Sequence, residues 1–394
     1  MVTKKHYNRI FQPPQMSFFL FGPRGTGKTT WLKAVFAEAT RIDLLDEALY
    51  QSYLANIGLF AQQLRSLPDE SLVVLDEVQR LPALLNEVHR FMEDKGMHFV
   101  LCGSSARKLK QAGTNLLAGR AIRKWFHPFL PEELGHDFRL DSALQWGTIP
   151  VIYQAADRKG ALEAYVQMYL REEIQAEALV RNLPAFARFL PVAALFHGQV
   201  LNISSLSRDA GASRGTVNGY LEILEDTLLA FRLPAYQPRL RVREKRHPKL
   251  YWTDPGLARA ARSRYGEPSP EERGALFEGW VASTLRAYRD YTDLFDEFYY
   301  WAPAESANLE VDFILVRQEE HLAIEVKSRS LDRGSTGKHL RGLRAITPLP
   351  NLTRRILLHT GAHHGVTEDG IEIVPLNMFL GLMESGELWP PVTR

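Results

Sequence analysis

The tightest constraint in this sequence is the run Gly22-Pro23-Arg24-Gly25-Thr26-Gly27-Lys28-Thr29, which fits the pattern GxxxxGK[ST] at every fixed position. The apolar stretch Ser17–Phe21 precedes it and a helical stretch, Thr30–Ala39, follows. A strand therefore delivers the chain into a tight loop and a helix carries it away. Glycines let the backbone curl so that its N–H groups point at phosphate oxygens, and the helix adds the positive end of its dipole. In that geometry Lys28 reaches the β- and γ-phosphates of a nucleoside triphosphate, and the Thr29 hydroxyl helps to hold Mg²⁺.

Two further apolar runs, Ser71–Leu75 and His98–Cys102, have the continuous character of strands buried on both faces, as in a parallel sheet covered by helices. The first ends in Asp76-Glu77. Asp76 suits the hydration shell of Mg²⁺, and Glu77 suits a base that orients and deprotonates an attacking water. The second ends in Cys102-Gly103-Ser104-Ser105, where Ser104 or Ser105 could touch the γ-phosphate or the water. The nucleotide contacts expected are Gly22 through Thr29 with Thr30 and Ser104, and the cofactors ATP and Mg²⁺.

Composition sets the surroundings of this unit. The 394 residues are 45% apolar and 24% charged, which suits two or three globular domains. One cysteine, Cys102, excludes an internal disulfide and fits a reducing compartment. No apolar run approaches the roughly 18 residues that span a bilayer. Lys4, Lys5 and Arg9 are followed by Pro13-Pro14 rather than by the apolar core of a secretory signal. The expectation is a soluble cytoplasmic protein without a membrane partner.

Residues 16–150 resemble an AAA+ ATPase. The order of loop, Asp-Glu strand and Gly-Ser-Ser strand, followed by Leu117-Ala118-Gly119-Arg120 and Pro128-Phe129, is similar to the bacterial and archaeal predicted ATPases with a C-terminal DUF4143 region. The resemblance implies homo-oligomers, often six-membered rings, in which an arginine of one subunit reaches the neighbour's γ-phosphate. Arg120 is the residue chosen for that role, with Arg107 and Arg123 behind it. The fold expected is α/β: an AAA+ ATPase domain with a parallel sheet over residues 1–150, a helical linker over 151–190, a winged helix over 191–257, and a restriction-endonuclease-like α/β domain over 258–394. Within the linker, apolar spacing predicts a helix from Ala161 to Leu179 that Pro184 terminates.

Ile203–Ala210 and Arg214–Leu224, joined by Gly211-Ala212-Ser213, have the pattern of a helix-turn-helix, with Ser213 as N-cap. Val217, Tyr220, Leu221 and Leu224 mark the inner face of the second helix. Arg214, Thr216 and Asn218 mark the face that a recognition helix offers to a groove. From Phe231 to Leu250 the chain carries Arg232, Arg239, Arg241, Arg243, Lys245, Arg246 and Lys249 against the single acid Glu244. That density suits a wing tracking phosphates; the competing readings are a protein–protein module and a solvated basic loop. The stretch from Pro248 to Leu257 closely matches the family pattern, where its meaning is structural.

Near the C-terminus, Glu310–Leu315 and Leu322–Lys327 suggest an antiparallel hairpin. Pairing Val311 with Val326, Phe313 with Ile324 and Leu315 with Leu322 makes one apolar face, and the same register sets Asp312 opposite Glu325 with Lys327 close by. Like charges so placed need a cation, either a divalent metal or Lys327 itself. This arrangement resembles the PD-(D/E)xK nuclease fold, with Glu278 as the upstream helical acid. The resemblance implies that Glu278, Asp312 and Glu325 hold Mg²⁺, and that Lys327 stabilises charge or activates water. His359, His363 and His364 are expected to be solvated, and Cys102 a small buried residue.

Together these features predict an ATP-hydrolysing, DNA-binding protein that remodels DNA, such as branched recombination intermediates and Holliday junctions, with Mg²⁺-dependent cutting as an added activity. The alternative is an ATP-dependent protein-interaction switch or regulator whose nuclease-like domain does not cleave, with a simple transcriptional regulator as a third reading.

Overall fold

The apolar runs pair as expected, and two polar segments join them. In the computed structural model, which describes residues 5–105, 117, 119–169, 183–238, 244–304, 309–330 and 337–389, β1 (Phe18–Phe21), β2 (Thr40–Asp43), β3 (Leu72–Asp76), β4 (His98–Gly103) and β5 (Ile122–Trp125) form one sheet. Its order is β2-β3-β4-β1-β5 and all four pairings are parallel. Because β1 and β3 lie either side of β4, the loop after β1 and the acids after β3 emerge at one edge, where sheets of this kind bind ligands. The helix after the loop runs Lys28–Val35, beginning and ending earlier than the Thr30–Ala39 expected.

The linker departs from expectation. A helix over Arg158–Ala164 passes into one π-helical turn, Tyr165–Tyr169. Pro184 lies within the described helix Leu183–Leu195. The remainder of the predicted linker helix lies outside the described residues.

The helix-turn-helix consists of Ile203–Ala210 and Arg214–Asp226. Gly211 stands at φ 63°, and the Ser213 hydroxyl caps the second helix by accepting the Thr216 N–H at 3.1 Å. Strands β6 (Gln199–Val200), β7 (Ala230–Leu233) and β8 (Lys249–Trp252) form an antiparallel sheet beside it, in the order β6-β8-β7.

The C-terminal sheet has six strands: β9 (Glu297–Trp301), β10 (Val311–Arg317), β11 (Glu320–Lys327), β12 (Leu352–His359), β13 (Gly365–Val366) and β14 (Glu372–Pro375), ordered β13-β14-β12-β11-β10-β9. Phe313 faces Ile324 and Leu315 faces Leu322, the expected register. Val311 breaks the expected apolar face. It packs instead with Ile314 and Ala323 against Leu340, Leu343 and Ile346. The cause is a bulge. Between Val311 and Ile314, β10 advances three residues while β9 advances two, and the extra residue turns neighbouring side chains to the other face.

The helix Pro270–Thr292, 23 residues long, packs on the opposite face. Its core takes in Phe313, Leu315, Leu322 and Ile324, and also Phe231, Leu233 and Tyr251 of the three-stranded sheet and Leu130, Ala143 and Leu144 from the end of the first unit. One hydrophobic core thus joins residues from the stretches 1–150, 191–257 and 258–394 drawn from sequence. Among the described residues no helix is long and apolar enough to cross a membrane.

Candidate nucleotide site and acid cluster

The loop leaves β1 and turns on Gly25 and Gly27, at φ 72° and 87°, left-handed values at which a side chain would strain the backbone. Lys28 is buried, and its ammonium donates to the carbonyls of Gly22 at 2.6 Å and Pro23 at 3.2 Å. The Thr26 hydroxyl closes the curl on the Pro23 carbonyl at 2.7 Å. Asp76, at the end of β3 and separated from β1 by β4, accepts the Thr29 hydroxyl proton at 2.8 Å, so the two residues expected to hold Mg²⁺ stand together. Their donor set, a hydroxyl and a carboxylate beside a phosphate cradle, fits that ion.

Glu77 follows at φ 56°, ψ 41°, a left-handed conformation unusual for a glutamate. Gln79, which sequence reasoning passed over, donates through Nε2 to Glu77 Oε2 and, at 3.0 Å, to Ser104 Oγ. It therefore ties the expected base to the tip of β4. Its position two residues past the acid pair was the available signal. Cys102 is fully buried beneath this edge, and burial pushes its thiol pKa well up, as its reading as an apolar filler requires.

Beside the loop opens a cleft of about 600 Å³, lined by Tyr7, Arg9, Thr30, Trp31, Val35 and Val151 among others. Its wall of apolar rings with a few polar groups is typical of small-molecule sites. Arg9 was also passed over, and it holds several parts together. Its guanidinium donates to the Thr26 carbonyl at 2.8 Å, to the His127 carbonyl at 2.6 Å, to Glu133 at 2.8 Å and to the Tyr291 hydroxyl at 3.3 Å. Tyr291 belongs to the long C-terminal helix. Arg120 lies on the surface, half-exposed and paired with Glu93 of its own chain. Arg123 is exposed, and Arg107 lies outside the described residues.

In the helix-turn-helix, Arg214, Thr216 and Asn218 are exposed while Val217, Tyr220, Leu221 and Leu224 are buried, as the pattern predicted. The basic wing is a different matter. Arg232 pairs with Glu225 at 2.8 Å, and Arg239, Arg241 and Arg243 lie outside the described residues. Lys249 does not face solvent at all. Its side chain is 2% exposed, and it is the cation at the centre of the C-terminal acid cluster.

That cluster gathers the expected residues around an unexpected one. Lys249 Nζ lies 2.8 Å from Glu278 Oε1, 3.3 Å from Glu310 and 3.5 Å from Asp312 Oδ1. Tyr251, two residues along β8, donates its hydroxyl to the same Glu278 oxygen at 2.5 Å. Asp312 Oδ2 accepts the Val326 N–H at 2.8 Å, and Lys327 Nζ lies 2.5 Å from Glu325 Oε1. Burial works against the charged form of Lys249, yet the surrounding carboxylates outweigh it and hold the ammonium pKa well above its usual value. With four carboxylates facing two ammonium groups, proton uptake by an acid is favoured. Burial carries Glu278 up to about 7 against the pull of Lys249. Burial and the Asp312 charge raise Glu325 well above the ordinary carboxylate range.

His359 was expected in solvent but is fully buried at the end of β12. Its ring clamps the following turn, with Nδ1 accepting the Gly361 N–H at 3.0 Å and Nε2 2.7 Å from the His363 carbonyl.

Comparison with known proteins divides the chain into three matched stretches. Residues 15–135 match the AAA domain, residues 137–267 a domain of unknown function, DUF8612, and residues 273–379 a domain of unknown function, DUF4143. Proteins of Mycobacterium tuberculosis and Mycobacterium bovis, both described as uncharacterized, are 26% identical over 370 residues, covering 92% of this chain and 80% of theirs. An uncharacterized protein of Haemophilus influenzae is 21% identical, covering 80% of this chain and 79% of its own. Among solved structures, the replication initiator DnaA bound to AMPPCP and single-stranded DNA aligns with 53% of this chain and 82% of its own, at 16% identity and a TM-score of 0.27.

Proposed function

From a chain that joins an AAA domain at residues 15–135 to a DUF4143 region at residues 273–379, we propose a cytoplasmic, oligomeric ATPase that couples ATP hydrolysis to engagement of DNA. The observation that carries the hydrolytic part is the contact between the Thr29 hydroxyl and Asp76 at 2.8 Å, next to a buried Lys28. ATP entering the loop would take over the ammonium of Lys28, which now rests on two loop carbonyls. Thr29 and Asp76 would hold Mg²⁺, which neutralises charge developing on the phosphates. Glu77 would accept a proton from the attacking water, with Ser104 beside it, and the cleft next to Gly27 would receive the base. Arg120 would complete a neighbouring subunit's site after leaving Glu93. Replacing Lys28 by Ala should cut ATP turnover on the order of 10²-fold or more. Undiminished hydrolysis by the variant would remove the assignment.

The DNA part rests on the exposed Arg214, Thr216 and Asn218 of a helix with a fully buried opposite face. ATPase rates measured without nucleic acid, with single strands, duplex and four-way junctions test it. Stimulation by one of these identifies the substrate class, and four-way junctions are the arm that remodelling of recombination intermediates requires. Binding should weaken steeply with salt. One observation favours a second reading, an ATP-driven switch for a protein partner: of the wing's seven basic residues, Lys249 is buried among carboxylates and Arg232 is paired with Glu225 at the surface. Absence of DNA binding even at low salt would decide for it.

A further inference from the structure

The nuclease resemblance implies a divalent metal held by Glu278, Asp312 and Glu325, and the geometry can be tested against that ion. Magnesium sits about 2.0–2.1 Å from its oxygen ligands and requires a near-octahedral shell. Here the point on which the acids converge is filled by Lys249 Nζ, 2.8 Å from Glu278, 3.3 Å from Glu310 and 3.5 Å from Asp312. An ion bound to the same oxygens would stand against a buried ammonium of the same sign. Two further oxygens of the cluster are engaged as well: Asp312 Oδ2 with the Val326 N–H and Glu325 Oε1 with Lys327. Glu325 Oε2 is buried without a hydrogen-bond partner among the described residues.

Lys249 has no easy way out. It is part of β8, whose residues pair with both neighbouring strands, Lys249 with Leu233 and with Val200. Leu250, Tyr251 and Trp252 after it are buried. Its ammonium also lies 5.4 Å from the centre of the Tyr300 ring on β9. Tyr251 sends a second donor from the same strand to Glu278. The three-stranded sheet of the helix-turn-helix is thereby fastened to the long helix and to β10.

We infer that Lys249 stands where the metal would: the acid cluster is an ion-pair latch between the helix-turn-helix sheet and the C-terminal sheet, and it does not cut phosphodiesters. The inference is independent of ATP hydrolysis.

The test is Mn²⁺ binding to the full chain without nucleotide, followed by electron paramagnetic resonance, together with cleavage of plasmid DNA in Mg²⁺. The wild-type chain and Asp312→Asn should bind the same number of Mn²⁺ ions and leave the plasmid intact. Lys249→Met should lower the thermal midpoint by roughly 4–6 °C, the usual cost of stranding buried charge in a chain of this size. Should Lys249→Met not fold, Glu278→Gln reads the same latch, and its midpoint should fall while Mn²⁺ binding stays unchanged. A Mn²⁺ ion lost on Asp312→Asn or Glu325→Gln, or cleavage that disappears with either, would overturn the inference. So would a Lys249→Met chain as stable as wild type.

Discussion

Glu77 occupies a backbone conformation, φ 56°, that costs an ordinary residue on the order of 1–3 kcal/mol. Strain of that kind persists where the surroundings enforce it, and here the Asp76 carboxylate takes the Glu77 N–H at 3.1 Å while Gln79 holds its side chain. Glu77→Gln keeps the shape and removes the proposed base. Turnover should fall about 10²–10⁴-fold with ATP still bound, which comparison of single-turnover rates with nucleotide titration would show. A second residue-scale consequence concerns pH. Burial, with Arg262 adding to it, pushes His197 down to about 4, and its Nδ1 accepts the Trp252 N–H at 3.0 Å. In the unfolded chain its pKa is about 6.5. Below that value the unfolded state takes up a proton that the folded state refuses, so stability is lost as pH falls from about 6.5 toward 4. Asp254 acts the other way: burial raises it to about 6, so its contribution improves as pH falls from there toward the normal carboxylate value. The His197 part is isolated by comparing variants. Urea unfolding at pH 7.5 and pH 5 should show wild type losing about 2 kcal/mol more than His197→Gln.

Single elements show why some of this was legible and some was not. The inner strands β1, β3 and β4 are buried on both faces and announce themselves as apolar runs. β2 (Thr40–Asp43) and β5 (Ile122–Trp125) are the sheet's two edges, half-exposed and polar, and no run marks them. The phosphate loop and its acids were legible because their chemistry demands particular residues at fixed spacing. Lys249 was not, because a count of charges cannot tell a lysine in water from one among carboxylates. Its setting beside Leu250-Tyr251-Trp252 in a fully buried strand was the clue. The bulge in β10 was likewise invisible, since the alternation of Val311, Phe313 and Leu315 is what an unbroken strand would show. An element-scale prediction follows from Asp254, whose carboxylate accepts the Thr148 N–H at 2.7 Å and caps the helix Pro255–Ala260 through Leu257 at 3.3 Å. Asp254→Ala leaves both buried donors unpaired and should cost about 1–3 kcal/mol in urea unfolding.

At the scale of the whole molecule, one helix joins the acid cluster to the residues that brace the phosphate loop. Glu278 in the acid cluster and Tyr291 against Arg9 lie on the same rod, and thirteen residues at 1.5 Å each separate them by about 20 Å. Its far end is anchored on the first unit, where Tyr291 accepts the His127 N–H at 2.8 Å and Asp290 meets the buried His127 ring at 2.7 Å. Arg9 then connects this anchor to the Thr26 carbonyl of the loop. Arg9→Ala should weaken ATP binding roughly tenfold, the equivalent of one charged hydrogen bond of about 1.5 kcal/mol. Calorimetric titration of the variant checks this, and unchanged affinity would mean that the guanidinium does not support the loop.

The same arginine bears on how the protein is prepared. A recombinant chain started at Met16 would retain every signature from the glycine loop to the final strand. It would nevertheless lose the wall that Tyr7 and Arg9 give to the cleft, and with it the brace under Thr26. Such a truncation would be expected to bind triphosphate poorly despite an intact motif, and its weakness would misleadingly count against the loop itself.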